Sequence, residues 1–421
     1  MKILRLKLHW QILIGLLLGV VYGIFLSDQI NYVSWMGDIF LRLLQMVIVP
    51  LILSSIISGV ANIGSAERLG RIGLKTIGYY LLTSVLAILT GQLLAIAIKP
   101  GNDAELGFRN EVEGLQEATQ SFGDTLKNII PTNIFEAFSQ NQMLSVIFFA
   151  ILFGFFITQV QDKAKRQLTD FFNSVFEVMM RLTMFIIRLT PVGIFGIVAK
   201  VVSEQEDLPG LMASMGLYML VVFLGLTIHA TITLPLILRF FARVNPRKHF
   251  KAVLTPLITA FTTSSSSATL PLTMEAVEHN DGVSNKITSF TLPLGATVNM
   301  DGTALYECVA AIFIAQAYGV ELGFTQQLIV VATALLASIG AAGIPMAGLV
   351  MITVVLTAVG LPLEGVGLIL AVDRILDMLR TTVNVWSDTC GAVVIARSEG
   401  EALEGIAIAD YPDRGGRRKR D

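Results

Sequence analysis

Long runs of apolar residues limit the folds open to this sequence. Runs such as 12–26 and 143–157, with their flanks, reach about 20 residues, which matches a helix crossing a hydrocarbon layer about 30 Å thick. Of the 421 residues, 54% are hydrophobic and 15% are charged, and the mean hydropathy is +0.70. Soluble domains carry about 25% charged residues. The sequence therefore predicts a polytopic membrane protein.

The two halves of the chain differ in how the apolar runs are interrupted. The first half predicts spanning helices near 9–27, 35–62, 72–98, 142–160, 171–200 and 212–243, with a polar loop at about 99–128. In the second half, polar sequence interrupts the apolar stretches at 262–267, 299–303, 338–345 and 373–388. Non-helical backbone at membrane depth must be buried in protein or line a wet cavity, and paired broken segments point to a transporter's binding site. The first and third interruptions predict two re-entrant hairpins.

The distribution of charge predicts the orientation. Basic clusters lie at the N-terminus and at 68–75, 163–166, 239–251 and 414–420, whereas acids dominate 103–117 and 204–207. Because cytoplasmic loops are rich in Lys and Arg, we expect both termini in the cytoplasm and the acidic loops outside. The first apolar run has no small-residue cleavage site, so we predict a retained helix rather than a signal peptide. Two cysteines in apolar stretches indicate no disulfide framework.

The last predicted helix carries a polar stripe. Six residues fall within an arc of about 100° on the helical wheel: Asp373, Asp377, Arg380, Thr381, Asn384 and Asp388. An Asp or Arg at mid-membrane costs about 2.5–3.5 kcal/mol, so the stripe must be paired with itself or with a ligand. A salt-bridge network that only locks the helix is the structural alternative. The uncharged Thr381 and Asn384 favour ligand and cation binding.

Three further segments offer polar ligands. Residues 299–303 place an amide, a carboxylate and a hydroxyl beside a glycine, which suits a hard cation; a capped kink is the alternative. Tyr80, Thr83 and Ser84 share one helix face, for which helix packing is the commoner explanation. The serine run 264–267 precedes apolar sequence and would form a carboxylate nest at the start of a half-helix. A flexible linker is its alternative.

At these residues the chain resembles the dicarboxylate/amino acid:cation symporter family, which includes archaeal aspartate transporters and animal excitatory amino acid transporters. The matching segments follow the family's order over nearly the whole chain: 79–84 (YYLLTS), 263–271, 292–305 (LPLGATVNMDGTAL), 338–348 and 373–388. The resemblance implies an all-α polytopic membrane protein with eight transmembrane helices, two re-entrant helical hairpins and inverted repeats. It also implies a homotrimer in the lipid bilayer and an elevator-type mechanism.

The resemblance further implies a fixed scaffold and a mobile transport domain. Scaffold helices one and two would lie in 1–71, and the extracellular loop with scaffold helices four and five in 99–200. The transport domain would comprise helix three at 72–98 and, within 201–400, helix six, the first hairpin, helix seven, the second hairpin and helix eight. Residues 401–421 would form a cytoplasmic polar tail.

By position, the resemblance assigns a substrate site. Arg380 would bind the substrate's side-chain carboxylate, which suits a bidentate guanidinium, and Asp377 would bind its ammonium group. The other substrate residues would be Ser265, Ser266, Ile344, Gly348, Thr381 and Asn384. Relatives that carry dicarboxylates without an amino group lack a carboxylate at the position of Asp377. The resemblance therefore implies a carrier of L-aspartate or L-glutamate.

Three Na⁺ sites and a proton site are implied in the same way. The Na⁺ ligands would be Asn299 and Asp388 with carbonyls of Gly295 and Asn384; carbonyls of Thr297, Ser338, Ile339 and Ala341; and Tyr80, Thr83, Ser84, Asn299 and Asp301. Glu307 matches the animal members' glutamate that carries a co-transported proton. Desolvation in an apolar helix favours a protonated carboxyl.

Two positions depart from the family's pattern. Ser264 stands where archaeal members have an arginine, as in animal members. Animal members then place a compensating arginine right after the aspartate of the last helix, where this chain has Met378. Arg374, one turn earlier, is a candidate substitute, and a plain structural role explains it equally well.

The sequence thus predicts a Na⁺-driven symporter of acidic amino acids in the plasma (inner) membrane, with no nucleic-acid partner and no enzymatic activity. A proton-coupled, neutral or dicarboxylate carrier of the same family, or an anion channel, is the alternative. An intramembrane protease is disfavoured, because the aspartates lack a paired Tyr-Asp and Gly-x-Gly-Asp arrangement and no histidine has a serine-nucleophile context. Aspartate and glutamate both stay open, as do the ion stoichiometry, potassium counter-transport and an anion conductance.

Overall fold

The computed structural model describes residues 8–64, 71–102, 127, 129–140, 142–204, 208–340, 347–403 and 405–406. These residues form helices and no β-sheet, which confirms the predicted all-helical class. The helices are α1 (Leu8–Phe25), α2 (Ser34–Gly64), α3 (Arg71–Ile98), α4 (Ile134–Ser139), α5 (Met143–Gln159), α6 (Asp162–Arg188), α7 (Thr190–Glu204), α8 (Leu208–Ile228), α9 (Leu234–Ile237), α10 (Pro246–Ala252), α11 (Leu254–Thr263), α12 (Ser266–His279), α13 (Asn285–Val298), α14 (Asp301–Ala317), α15 (Phe324–Gly340), α16 (Ala347–Ala358) and α17 (Val366–Ser398). Two π-helical turns, His229–Thr233 and Leu238–Ala242, flank α9.

Several helical stretches have the length and apolar composition of a membrane span. Within the described residues, four reach this standard: Ser34–Ala61, Arg71–Ile98, Pro209–Ala242 and Asn285–Ala317. A fifth is added if the bent pair of α6 and α7 counts as one span. Shorter apolar helices include Trp10–Phe25, Ser145–Gln159, Leu254–Thr263 and Phe324–Ile339. The described helices are therefore those of a helical membrane protein.

The span predicted over 171–200 falls on a bent pair of helices. The chain forms α6 and α7, which meet at an angle of 54°. Pro191 explains the break, because its ring clashes with the carbonyl four residues earlier and it has no N–H to donate. Proline is tolerated in the first turn of a helix, where Pro191 lies in α7. The predicted acidic loop at 103–117 and the basic tail at 414–420 lie outside the described residues.

The helices pack in two groups. In the first, α1 runs along α7, and α2 packs against α5, α6 and α7. Glycines spaced by four allow α1 to approach α7 closely: a Cβ on Gly19 would lie 2.9 Å from the Phe195 carbonyl oxygen, and one on Gly23 2.8 Å from that of Ala199. Such small-residue stripes are a common basis of helix packing in membranes.

The second group surrounds α14, which is buried almost throughout its length. Helices α3, α8, α15 and α17 pack against α14, while α11, α12 and α13 pack against α17. The helical path breaks twice where the sequence predicts interruptions. Ser264, with φ of +52°, and Ser265 separate α11 from α12, and Asn299 and Met300 separate α13 from α14. The polar groups at these breaks thus lie beside α17.

One end of α3 is tied to the end of α17 by charged groups. Arg71 and Lys75 lie 2.8 Å and 2.6 Å from the carboxylate oxygens of Glu399. The hydrogen bonds from Arg71 and then Lys75 lower the pKa of Glu399 to about 2. Arg71 is 72% exposed, and exposed ion pairs contribute little to stability. The cluster therefore orients the two helix ends rather than holding the fold together.

Candidate functional site

The polar stripe of α17 is buried. All six residues predicted to form it are at most 6% exposed, whereas Ile375 on the opposite side is 57% exposed. Asn384 connects the stripe to the start of α14: its Oδ1 accepts from the Gly302 amide at 2.8 Å, and its Nδ2 donates to Thr303 Oγ1 at 3.2 Å. A Cβ on Gly302 would lie 2.7 Å from the Arg380 carbonyl oxygen. The close approach of the two helices therefore requires glycine there.

Arg380 is the central cation of the stripe and is 1% exposed. Its Nη2 donates to Asp377 Oδ1 at 2.9 Å and lies 3.1 Å from Asp373 Oδ1. The guanidinium carbon lies 3.7 Å from the centre of the Tyr306 ring, a cation–π contact. Within the described residues, no group meets Arg380 Nε or Nη1, or either carboxylate oxygen of Asp373, in hydrogen-bond geometry.

This arrangement bears on the two explanations of the stripe. A network that only locked the helix would have its buried donors satisfied, because an unmet buried donor costs about 1–3 kcal/mol, and more for a charged group. Arg380 instead has two N–H-bearing nitrogens that find no hydrogen-bond partner in the part of the chain that the structure describes. A carboxylate is the group that a guanidinium binds bidentately. The geometry favours a ligand site over a purely structural network.

Arg374 lies at the edge of the stripe. Its Nη1 is 3.7 Å from Asp377 Oδ2, and its side chain is 33% exposed. Asp377 thus lies between two arginines, one buried and one partly exposed. A partly exposed pair at this distance is weak.

The two segments that the sequence predicts as re-entrant hairpins both pack against α17. In the first, Ser264 adopts a left-handed conformation, and Ser265 caps α12 by accepting from the Ala268 amide at 3.2 Å. Ser265 and Ser266 are 7% and 4% exposed, and α11 and α12 both pack against α17. In the second segment, a Cβ on Gly348 would lie 3.0 Å from Arg380 Nη1. Ile344 lies outside the described residues.

A second polar cluster is built around Asp301, at the start of α14. Asp301 Oδ1 accepts from Ser84 at 2.7 Å and Thr83 at 3.2 Å, both on α3. Its Oδ2 accepts from Ser387 at 2.6 Å and lies 3.0 Å from His229 Nε2. All five side chains are at most 2% exposed. The shared face of α3 therefore belongs to a buried site.

Asp388 forms the other carboxylate of this cluster. Asn299 Nδ2 donates to Asp388 Oδ1 at 2.8 Å, and Thr83 Oγ1 lies 3.3 Å from Asn299 Oδ1. A Cβ on Gly295 would overlap Asp388 Oδ1 and lie 2.8 Å from the Tyr80 hydroxyl. Tyr80 itself donates to the Thr291 carbonyl at 2.7 Å. The cluster thus combines two carboxylates with hydroxyl, amide and carbonyl oxygens, the ligands of a hard cation.

Three of the four residues predicted for the remaining cation site are among the described residues. Thr297 lies on α13, and Ser338 and Ile339 lie near the end of α15, which packs against α13. The hydroxyls of Thr297 and Ser338 bond within their own helices, to Leu294 at 3.0 Å and Leu335 at 2.8 Å. Ala341 lies outside the described residues. The structure therefore shows α13 and α15 in contact, but the described residues do not include all four predicted ligands.

Sequence reasoning missed two members of the Asp301 cluster. Ser387 falls about 20° outside the arc of the α17 stripe at 100° per residue, yet it bonds both Asp301 and Asn299. His229 lies in a π-helical turn, which shifts the helical phase. A lone histidine within an apolar span was the available signal, but nothing in its spacing connects it to Asp301.

Glu307 lies further along α14 and is fully buried. Among the described residues, neither of its carboxylate oxygens has a hydrogen-bond partner. An ionised carboxylate without partners is strongly disfavoured in a dry interior. The position therefore suits a carboxyl that takes up a proton, the role that the family resemblance implies.

Residues 8–398 match the sodium:dicarboxylate symporter family. Similar proteins include excitatory amino acid transporter 1 of Ambystoma tigrinum, 37% identical over 89% of this chain and 79% of the relative. An excitatory amino acid transporter of Caenorhabditis elegans is 38% identical over 91% of this chain and 85% of its own length. Excitatory amino acid transporter 3 of Homo sapiens is 36% identical over 96% and 88%. The similarity covers the described helices of both groups.

Proposed function

The chain belongs to the sodium:dicarboxylate symporter family, and from this premise we propose that it carries L-aspartate or L-glutamate across the membrane together with Na⁺. One observation supports this most. The buried Arg380 lies beside a carboxylate and has two N–H-bearing nitrogens without a partner among the described residues, and its helix also lines a buried cluster of cation ligands. Such a site is complementary to an amphoteric solute with an extra carboxylate.

In this proposal Arg380 binds the side-chain carboxylate of the substrate through Nε and Nη1. Asp377, which now bonds Arg380 at 2.9 Å, turns to the substrate ammonium. Gly348 leaves space beside Nη1. The site is completed by Ser265, Ser266, Ile344, Thr381 and Asn384.

The Na⁺ ions would bind where buried carboxylates gather oxygen ligands. One site consists of Tyr80, Thr83, Ser84, Asn299 and Asp301; another of Asn299 and Asp388 with carbonyls of Gly295 and Asn384; a third of carbonyls of Thr297, Ser338, Ile339 and Ala341. When bound, Na⁺ supplies the positive charge that the buried Asp301 and Asp388 need. Because α17 carries both Arg380 and Asp388, filling the ion sites would order the substrate site.

Transport would proceed by movement of one helix group past the other. The scaffold comprises helices of 1–71 and 99–200, and the moving part comprises 72–98 and 201–400. Helices α15 and α16 pack against α2, whereas Ile258 and Phe261 on α11 are 56% and 40% exposed. In this proposal the segment that follows the basic residues 239–251 faces the cytoplasm. The protein is a homotrimer in the plasma (inner) membrane, with both termini cytoplasmic.

Uptake by purified protein in liposomes tests the proposal. We expect a panel of labelled amino acids to show uptake of aspartate or glutamate only with an inward Na⁺ gradient. Counterflow of labelled against unlabelled substrate should occur, because a carrier exchanges whereas a channel passes ohmic flux. Uptake of neither acidic amino acid, or flux without exchange, would refute the proposal.

Gly295→Ala is expected to weaken Na⁺ activation of uptake by about 10- to 100-fold. The added Cβ would overlap Asp388 Oδ1, and displacing a charged hydrogen-bonding group costs about 1.5–3 kcal/mol. The measurement is the Na⁺ concentration for half-maximal uptake. Gly78→Ala on α3 is the matched control, because a Cβ there meets nothing within 4 Å. Equal Na⁺ dependence of the two variants would show that Gly295 is not part of the Na⁺ site.

Glu307→Gln is expected to flatten the pH dependence of uptake. In the wild type, rising pH removes the proton that accompanies the substrate, so uptake falls; glutamine mimics the protonated carboxyl and keeps uptake at alkaline pH. The measurement is the initial rate of uptake in proteoliposomes from about pH 6 to 9. This is the range in which a carboxyl group that burial keeps protonated loses its proton. Glu321→Gln, at an exposed position after α14, is the control. A pH profile unchanged from wild type would contradict the proton role.

A further inference from the structure

A groove lies on the side of α17 that faces away from the substrate stripe. It has a volume of about 870 Å³ and lies between the π-helical segment around α9, helices α10 and α11, and α17. Most of its wall is apolar, with Ile232, Leu236 and Phe250 52%, 47% and 47% exposed. Trp386 forms its floor, where the indole donates to the Ala230 carbonyl at 3.0 Å.

Three cations line one end of this groove: Arg239, Arg247 and Lys251. Within the described residues, none of the three has an ion-pair partner within 4 Å. They lie at the end of the span Pro209–Ala242 and in the helix that follows it. The apolar wall at Ile232 lies seven residues before Arg239, about 10 Å deeper at 1.5 Å per residue. The groove therefore has a cationic mouth at the membrane edge and an apolar body within the hydrocarbon.

The charges decide what fits the groove. A small soluble anion would use the mouth but leave the apolar wall uncovered, and a neutral lipid would leave three cations uncompensated. The C-terminal segment is a poor occupant: the chain reaches the groove at Ile406, whose carbonyl accepts from the Asn245 amide at 2.9 Å, but residues 414–420 carry five further cations. An anionic amphiphile meets both requirements, and basic cytoplasmic faces attract anionic phospholipids.

We propose that this groove is a binding site for one anionic phospholipid of the cytoplasmic leaflet, with its phosphate between Arg239, Arg247 and Lys251 and an acyl chain along Ile232 and Trp386. The site does not depend on the substrate or on transport activity. It adjoins the transport machinery, because Thr382, Val383 and Trp386 line the groove on the same helical turns that carry Thr381 and Asn384. A bound lipid would pack against the face of α17 that is opposite the substrate stripe.

Quenching of Trp386 fluorescence by brominated lipid tests the proposal. The chain has three tryptophans, so Trp10→Phe with Trp35→Phe leaves Trp386 as the sole reporter. We expect trace brominated phosphatidylglycerol in phosphatidylcholine vesicles to quench Trp386 more strongly than brominated phosphatidylcholine does. Each cation near an anionic leaflet contributes roughly a fivefold preference. Arg239→Gln with Arg247→Gln and Lys251→Gln should therefore lose about a hundredfold preference.

A matched control tests whether the preference for the anionic lipid comes from the cations of the groove. Neutralising another basic cluster, Lys163, Lys165 and Arg166 on α6, should leave the preference unchanged. If the triple groove variant does not fold, the single substitutions should show graded losses. Equal quenching by the two lipids, a preference that survives neutralisation of the groove, or displacement by soluble glycerol phosphate would overturn the proposal.

Discussion

Replacing Arg380 with cysteine is expected to abolish uptake of L-aspartate and L-glutamate and to permit uptake of neutral amino acids such as serine. Removing one partner of a buried, hydrogen-bonded charge pair costs about 2–5 kcal/mol, a loss of between about 30-fold and several thousandfold. The small side chain leaves space for an uncharged substrate. The measurement is uptake of labelled aspartate, glutamate and serine into proteoliposomes under a Na⁺ gradient.

Arg374→Cys is the matched control for this prediction, because Arg374 lies on the same helix and also approaches Asp377, at 3.7 Å. It should retain selectivity for acidic substrates. Loss of Arg380 also leaves Asp373 and Asp377 without their common cation, so the variant's serine uptake serves to show that it is folded. Undiminished aspartate uptake by Arg380→Cys would disprove the carboxylate assignment.

Asp301→Asn is expected to raise the Na⁺ concentration for half-maximal uptake by about 100-fold or more. The substitution keeps the shape but removes the negative charge, and its amide nitrogen would face hydroxyl donors that now bond a carboxylate. Losing a charged partner in a buried pair costs about 3–5 kcal/mol. The measurement is the Na⁺ dependence of aspartate uptake at fixed membrane potential.

Asp281→Asn provides a close control, since both aspartates are buried and both face a histidine. Asp281 Oδ2 lies 2.8 Å from His249 Nδ1, and Asp301 Oδ2 lies 3.0 Å from His229 Nε2. Loss of stability alone would affect both variants, whereas loss of a cation ligand would affect only Asp301→Asn. Similar Na⁺ dependence in the two variants would contradict a Na⁺ site at Asp301.

The polar stripe of α17 could be predicted from the sequence because a helix imposes its period on any residues that must share a face. Burial of the six residues and exposure of Ile375 confirm that reading. Pro191 marks the break between α6 and α7 in the sequence, because a proline cannot continue a helix. The bend of 54° is a property of how the two helices pack.

The Asp301 cluster could not be predicted from residue types alone. Ser84 and Asp301 are 217 residues apart and meet only because α3 packs against α14. Spacing on α3 indicated a shared face without a partner, and the family resemblance supplied the connection. No comparable signal existed for His229, whose direction depends on a π-helical turn. Local periodicity is readable from sequence, whereas contacts between distant helices depend on tertiary packing.

Calorimetric titration of purified protein with L-aspartate and with L-glutamate, in Na⁺ and in an equal concentration of choline, tests the central claim most directly. The buried charges around Arg380, Asp301 and Asp388 should be neutralised jointly by an acidic amino acid and its ions. We therefore expect saturable binding of at least one of the two in Na⁺ and none in choline. No heat from either amino acid in Na⁺, or equal binding in choline, would leave the charged stripe as scaffolding and contradict Na⁺-coupled transport.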